Sequence, residues 1–314
     1  MSHVIENNTP QALDRSSWQL FVALTTGAWQ PAKFWRKASF RRKFMLRSLL
    51  MPFSTRKLLN VLTAHPDSQS LLMRQPRLPC RLHRPYMAAN LNRKAALDAL
   101  CFHYQTLSAA LTPAQFAAHL SQYGMRLATL EGRDGAHYFI DFVTLVSLDK
   151  EGESTLVLRD ESQTIIAELT FTFCQMQGRK TLFIGGLQGP KPEVPHSVIQ
   201  QATKSCHGLF PKRLVVEAAC ALAQHFGMEA LLAVSNEAHV YRSLRYRDKK
   251  AQLHADYDSF WESTGGVRTP EGYYRLPRAI ARKPMEEIAS KKRAEYRRRY
   301  DLLDGMLTKV QDAL

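Results

Sequence analysis

The sequence predicts an α+β fold: a mixed, mainly antiparallel sheet with a crossover helix, preceded by a basic helical region and closed by a long C-terminal helix. Three observations predict it. Apolar residues recur at a period of two in several short runs between residues 126 and 185. Helical spacing takes over at 211–226 and an apolar run at 230–235 follows, the pattern of a strand, a crossover helix and a second strand. Residues 17–62 and the last thirty or so positions carry helical spacing without strand-like alternation.

The elements follow in chain order. Residues 1–16 read as a polar leader and 17–62 as helices. Within them 33–53, KFWRKASFRRKFMLRSLLMPF, makes one amphipathic helix. Phe34, Trp35, Ala38, Met45, Leu46, Leu49 and Leu50 fall on its apolar side, Lys33, Arg36, Lys37, Lys43 and Arg47 on its basic side, and Pro52 marks its end. Four prolines (Pro66, Pro76, Pro79 and Pro85) make 64–86 connecting chain. A helix over 92–111 shows Leu97, Leu100, Cys101, Tyr104 and Leu107 near helical spacing. Thr112 and Pro113 then supply an N-cap and a first-turn proline for a helix that runs to about Gln122 and stops at Gly124.

Strands are expected at 137–148, 154–159, 164–174 and 181–185, separated by the turns DKEGE, DESQ and QMQGRK. In the third, Leu169, Phe171 and Phe173 alternate with Thr170 and Thr172, so an antiparallel meander with one buried face is expected. An inserted loop at 190–206 precedes the crossover helix, and Asn236 opens a helix after the strand at 230–235. A strand at 273–276 follows, and Pro284 opens the C-terminal helix, with Glu286 and Glu287 near its positive end. Tyr296, Tyr300, Leu303, Leu307, Val310 and Leu314 give that helix a seam for docking on the domain. The organisation expected is a basic helical region at 1–86, a sheet core with leading helices at 87–277, and a C-terminal helix at 278–314.

Charge and composition narrow the function. The chain carries a formal +15, and residues 1–97 hold 16 Lys and Arg against three acids, with none between 15 and 66. Such asymmetry points to an anionic partner: an anionic membrane surface, a phosphorylated polymer or, alternatively, RNA. No run is long and apolar enough to span a bilayer, and the N-terminus lacks the basic and apolar stretches of a signal peptide. The five cysteines are scattered without a CxxC, which fits a reducing compartment. A cytoplasmic location is therefore expected, at the periphery of the inner membrane if the basic region binds lipid. The eleven histidines form no HExxH and no cluster with cysteine, so no metal site is expected. The absence of GxSxG, a P-loop and GxGxxG argues against a nucleophile-elbow hydrolase, a P-loop NTPase and a Rossmann enzyme.

The chemistry-bearing residues concentrate between 181 and 246. Gly185, Gly186 and Gly189 surround Leu187 and Gln188 at a strand end, where glycine admits a ligand or another backbone. His207, Gly208 and Lys212 precede or open the crossover helix, where backbone N–H groups can hold a phosphate. Asn236 follows the next strand, with His239 and Tyr241 just beyond. The run YDSFW at 257–261 either anchors a tail segment through Tyr257, Phe260 and Trp261 or faces Asp256, Asp258 and Glu262 into a site.

This arrangement over 137–246 resembles the GCN5-related N-acetyltransferase fold. The resemblance implies an acyl-CoA donor held near Gln188, Gly189, His207, Gly208, Lys212 and Asn236, and Tyr241 as general acid. His239 or Glu217 would then be the base that an amine or hydroxyl acceptor requires. Residues 190–212 stand where that family carries a Gln/Arg-x-x-Gly-x-Gly/Ala loop, and the motif is absent from them. IGGLQG at 184–189, HGLFPK at 207–212 and YDSFW with YRLP at 274–277 also resemble the VirK/YbjX family of Gram-negative bacteria. That resemblance implies envelope biology: virulence, survival inside host cells and resistance to cationic antimicrobial peptides. Three functions remain open at this level: an acyltransferase-like enzyme acting on an envelope component or protein, a non-enzymatic regulator binding RNA or a membrane surface, and a scaffold that keeps the transferase shape.

Overall fold

The structure, a computed structural model, describes residues 16–246 and 256–314. The polar leader before residue 16, and the positions at 247–255, lie outside the described residues. The chain divides into two compact units, the first ending at Pro79 and the second beginning at Cys80.

The first unit is helical: α1 (Ser17–Thr26), α2 (Ala38–Leu49), α3 (Pro52–Ala64) and α4 (Ser68–Arg74). Ser16 and Gln19 form a reciprocal capping box at α1. Trp35 is the hub. It is fully buried, its indole N–H donates to the Pro76 carbonyl at 2.8 Å, and Phe40 and Phe44 meet it edge-on.

The single amphipathic helix expected over 33–53 is broken into three pieces: a 3-10 turn at Lys33–Arg36, then α2, then α3. Met51 has an extended φ of −142° because the residue before proline is kept out of helical space, and Pro52 opens α3. The break changes which residues face inward. Phe44 and Ser48 form the buried seam of α2, whereas Leu46, Leu49 and Leu50 are exposed.

The second unit holds the sheet. α5 (Arg93–Ala110) is capped by Asn92, whose side chain accepts from Ala95 N–H, and α6 (Pro113–His119) by a Thr112–Gln115 capping box. Strands β1 (Met125–Glu131), β2 (His137–Val143), β3 (Ser154–Asp160), β4 (Ile165–Met176) and β5 (Arg179–Gln188) form the meander. The strand expected at 137–148 stops at Val143, and a 3-10 turn at Val146–Leu148 leads on. After β5 come α7 (His196–Ser205), α8 (Pro211–His225) and β6 (Ala230–Val234). Helix α7 thus replaces most of the loop expected at 190–206.

Next are α9 (Tyr257–Ser263), β7 (Val267–Arg268), β8 (Tyr273–Leu276) and α10 (Ser290–Asp312). Pro284 opens only a 3-10 turn at Met285–Glu287, and α10 begins three residues later. It packs on β1 and α8 through Leu303, Met306 and Val310.

The eight strands form one sheet in the order β1-β2-β3-β4-β5-β6-β8-β7. Every pair is antiparallel except β5 with β6. The fold is therefore α+β with a mainly antiparallel sheet, as the alternating pattern predicts. One feature positions the site. Pairing of β5 with β6 ends at Ile184 and Ala233, while β5 stays paired to β4 as far as Gln188 opposite Glu168. The register of β4 and β5 shifts between Thr170 and Phe171, leaving Gly185 as the extra residue of a bulge. The two parallel strands part at that bulge.

Candidate active site

The turn DKEGE, expected between two strands, is buried. Asp149, Glu151 and Glu153 are all within the interior, immediately before β3. Buried carboxylates need partners. Arg81, also fully buried, supplies two of them. Its Nε and Nη2 donate to the two oxygens of Glu153 at 2.7 and 3.0 Å, and Nη1 lies 2.9 Å from Asp149 Oδ2. Tyr104 donates to Glu153 at 2.6 Å, and Arg84 to Asp149 at 2.7 Å. Burial opposes the charge on Arg81, but Glu153 and Asp149 outweigh it and hold the guanidinium well above its ordinary pKa.

Glu151, between these two, is met by neutral donors. The Gln188 amide donates to both carboxyl oxygens at 3.0 Å, and the Tyr241 hydroxyl hydrogen-bonds to the same carboxyl. Burial pushes the Glu151 carboxyl up to about 8, with the nearby Glu168 adding to the rise and Gln188, Lys150 and Tyr241 limiting it. A carboxyl that titrates near neutrality, between two polar side chains, can take and return a proton under working conditions.

The strand end is shaped to admit Glu151. A Cβ on Gly185 would overlap the Glu151 carbonyl oxygen, and one on Gly186 would overlap its carboxylate Oε2. Gly186→Ala is expected to push the carboxyl off Gln188 and cost about 1–3 kcal/mol in chemical denaturation, as overpacking does. Unchanged stability would show that the close approach is not maintained.

His239 forms the third wall. It caps the 3-10 turn Val240–Arg242, its Nδ1 accepting from Tyr241 N–H at 3.3 Å, so the neutral ring carries its proton on Nε2. That nitrogen is buried without a hydrogen-bond partner among the described residues and lies 4.0 Å from Glu151 Oε1. Burial, helped by Arg242, lowers its pKa to about 4, so the ring is neutral at pH 7. Tyr257 stacks on it at 5.3 Å between ring centres. The chain before α5 completes the enclosure: Met87 N–H donates to Lys150 O, and Ala89 N–H to Ala238 O.

Of the residues singled out from the sequence, Gln188, His239 and Tyr241 thus converge on Glu151, which was not among them. Lys212, in the first turn of α8, has its Cε 3.9 Å from where a Cβ of Gly189 would stand, and burial lowers its pKa.

Asn236 opens no helix. A turn follows it, because its groups serve another segment: its N–H donates to Asp258, and its side chain accepts from Tyr257 N–H and donates to Asp256. It thereby ties β6 to α9. His207 and Gly208 turn the chain between α7 and α8 at φ of +53° and +81°, and the His207 carbonyl accepts from Arg299 of α10. Glu217 pairs with Arg213 one turn earlier on α8, at 2.7 Å. No contact described for these three joins them to Glu151.

Helix α9 enters where β5 and β6 part. The Tyr257 hydroxyl accepts from Leu187 N–H at 3.3 Å, and the Trp261 indole donates to Val234 O at 2.8 Å. Both rings are buried, so YDSFW anchors this segment, with Asp256 capping α9 and Asp258 bound to Asn236.

Comparison with known proteins agrees with the motif resemblance. A family model described as "Protein of unknown function (DUF535)" matches residues 33–312. The chain is 53% identical over 306 residues to a protein of Escherichia coli strain K12 called "Uncharacterized protein YbjX", covering 98% of this chain and 93% of that one. An uncharacterised protein of Haemophilus influenzae is 33% identical over 161 residues, 51% of this chain and 53% of its own. A segment of 55 residues, 18% of this chain and 24% of the other, is 42% identical to "Membrane protein LapB" of Mannheimia haemolytica.

Proposed function

Given that the chain belongs to the DUF535 family, we propose that its sheet unit is an acyltransferase-like enzyme in which Glu151 is the general base and Tyr241 the general acid. The observation that carries this reading is the Gln188–Glu151–Tyr241 cluster at the point where β5 and β6 diverge. The sheet supports it: an antiparallel run, one parallel pair joined by a crossover helix, and a last strand inserted beside that pair. Ligands of sheets with such crossovers sit at the strand ends where neighbours part.

The residues suited to an acyl-CoA are Gln188, Gly189 and Lys212, since Lys212 stands at the N-terminus of α8 beside the end of β5. A bound acyl thioester supplies an electrophilic carbonyl and a thiolate leaving group. Glu151 takes the proton of the attacking amine or hydroxyl as the new bond to the acyl carbon forms. Tyr241, whose phenol is kept protonated by burial and by Glu151, gives its proton to the leaving sulfur as that bond breaks. Their hydrogen bond lets Glu151 return a proton to Tyr241 and resets both. Neutral His239 and Tyr257 close the wall and keep water from the carboxyl. The VirK/YbjX resemblance adds the process: an envelope component or protein as acceptor, with loss of transfer sensitising cells to cationic antimicrobial peptides.

The test is thermal stability of the purified protein titrated with acyl-CoAs and acylated carrier protein, since a ligand of the native state raises the midpoint. A concentration-dependent rise that Lys212→Ala abolishes is the expected result. One observation favours a second reading, a non-catalytic scaffold: Tyr257 and Trp261 occupy the widening between β5 and β6. No shift with any acyl donor would sink the enzyme and leave that scaffold.

A further inference from the structure

The first unit leaves a set of large apolar side chains outside its core. Leu46 and Leu49 on α2 are 58% and 59% exposed, Leu50 after it 82%, and Phe53 in the first turn of α3 86%. On α1, Trp18 is 68% exposed. An apolar groove joins these helices: Trp18 and Phe21 of α1 line one side, and Leu49, Pro52 and Arg56 line the other. Scattered exposed leucines need no explanation, but a cluster of this size on one elbow does.

Charge around the elbow is of one sign. Arg42 and Lys43 lie one turn before Leu46, Arg56 and Lys57 one turn after Phe53, and all four are exposed. Lys33, Arg36 and Lys37 extend the set, and no acid occurs between residues 15 and 66. A protein partner would need an acidic rim around an apolar centre. An anionic bilayer offers both in one surface, with phosphate at the rim and acyl chains beneath. No described helix is long and apolar enough to cross a membrane.

We infer that the α2–α3 elbow seats this protein on an anionic lipid surface, with Leu46, Leu49, Leu50 and Phe53 entering the acyl boundary and the flanking Arg and Lys at phosphate level. The division of labour is physical. The basic residues near the surface add attraction that salt screens. The large apolar side chains add a part that comes from leaving water, and salt does not weaken that part. The break at Met51 is what makes the seat: a continuous helix would set these residues along a stripe, whereas the elbow projects them from its corner. The inference does not depend on acyl transfer.

The experiment is flotation of the full chain with phosphatidylcholine vesicles and with vesicles of equal parts phosphatidylcholine and phosphatidylglycerol. Binding is expected only to the second, weaker at high salt. Leu50→Glu with Phe53→Glu, two side chains with almost no packing to lose, should reduce it about tenfold or more with near-UV circular dichroism unchanged. Arg42→Glu with Lys43→Glu should weaken it and flatten its salt dependence. Three results would overturn the inference. One is failure to float with the anionic vesicles. Another is equal flotation of the Leu50/Phe53 variant. The third is a doubled mass by light scattering that the same variant returns to that of one chain, since a second copy would then cover the elbow. Tight binding of poly(U) RNA by wild type and variant alike, with no flotation, would assign the basic face to nucleic acid instead.

Discussion

Glu151→Gln should change how stability depends on pH and, if the proposed acyl transfer takes place, lower it about 10²–10⁴-fold, the range expected on losing a general base. In the folded protein burial holds the Glu151 proton up to a pKa of about 8, against an ordinary value of 4.5. The unfolded chain therefore releases a proton that the folded chain keeps, and wild-type stability falls as pH rises through that window. The variant has no such proton. Its stability relative to wild type should rise from pH 5 to pH 8, by at most about 1.4 kcal/mol per pH unit. His239 works in the opposite sense and lower: its pKa falls from 6.5 to about 4 in the fold, so its contribution is lost as pH falls through that range, in both proteins alike. Urea denaturation at several pH values reads the difference. Parallel curves would mean that Glu151 is already ionised in the native state, and the base would have to be sought elsewhere.

Arg81→Met should be the most destabilising of these substitutions. It removes the guanidinium shared by Asp149 and Glu153 and leaves both carboxylates in the interior. Breaking a buried pair by deleting one partner costs about 3–5 kcal/mol. The loss should also reach the site, because Asp149 and Glu153 flank Glu151 and hold its loop. Adding Asp149→Asn and Glu153→Gln should recover part of the stability but not the position of Glu151. A cost below about 1 kcal/mol would show that water or a shift of Arg84 replaces the guanidinium, and the loop would not be held as described.

Much of the fold was legible wherever a local signal and the tertiary contact agree. The alternation of Leu169, Phe171 and Phe173 places β4, because a strand with apolar neighbours on one side has only one register that buries them. Thr112 and Pro113 place α6, because a cap acts within one turn. Gln188, His239 and Tyr241 were identifiable as polar groups just beyond apolar strands. The helix expected from Asn236 was not formed, because the Asn side chain is spent on α9, twenty residues on. Leu46, Leu49 and Leu50 read as one apolar stripe with Phe34 and Trp35 because a wheel assumes one unbroken helix, and the chain is broken before Ala38 and at Met51.

Glu151 had no signal of its own. A run of Asp, Lys, Glu, Gly and Glu between strands looks like a solvated turn, and nothing local distinguishes a buried carboxyl from an exposed one. Its burial depends on Arg81, 72 residues from Glu153, and on two glycines in β5 that leave room for it. By itself the sequence determined the α+β class, the strands and crossover helix, the one-sided charge of the N-terminal third and three of the four side chains in the cluster, because periodicity, capping and charge are local or additive. Only the tertiary structure decided which carboxyl is buried, which leucines face water and where β5 and β6 part. Those outcomes depend on contacts between residues far apart in the chain, and desolvation acts on a carboxyl only once such contacts have formed.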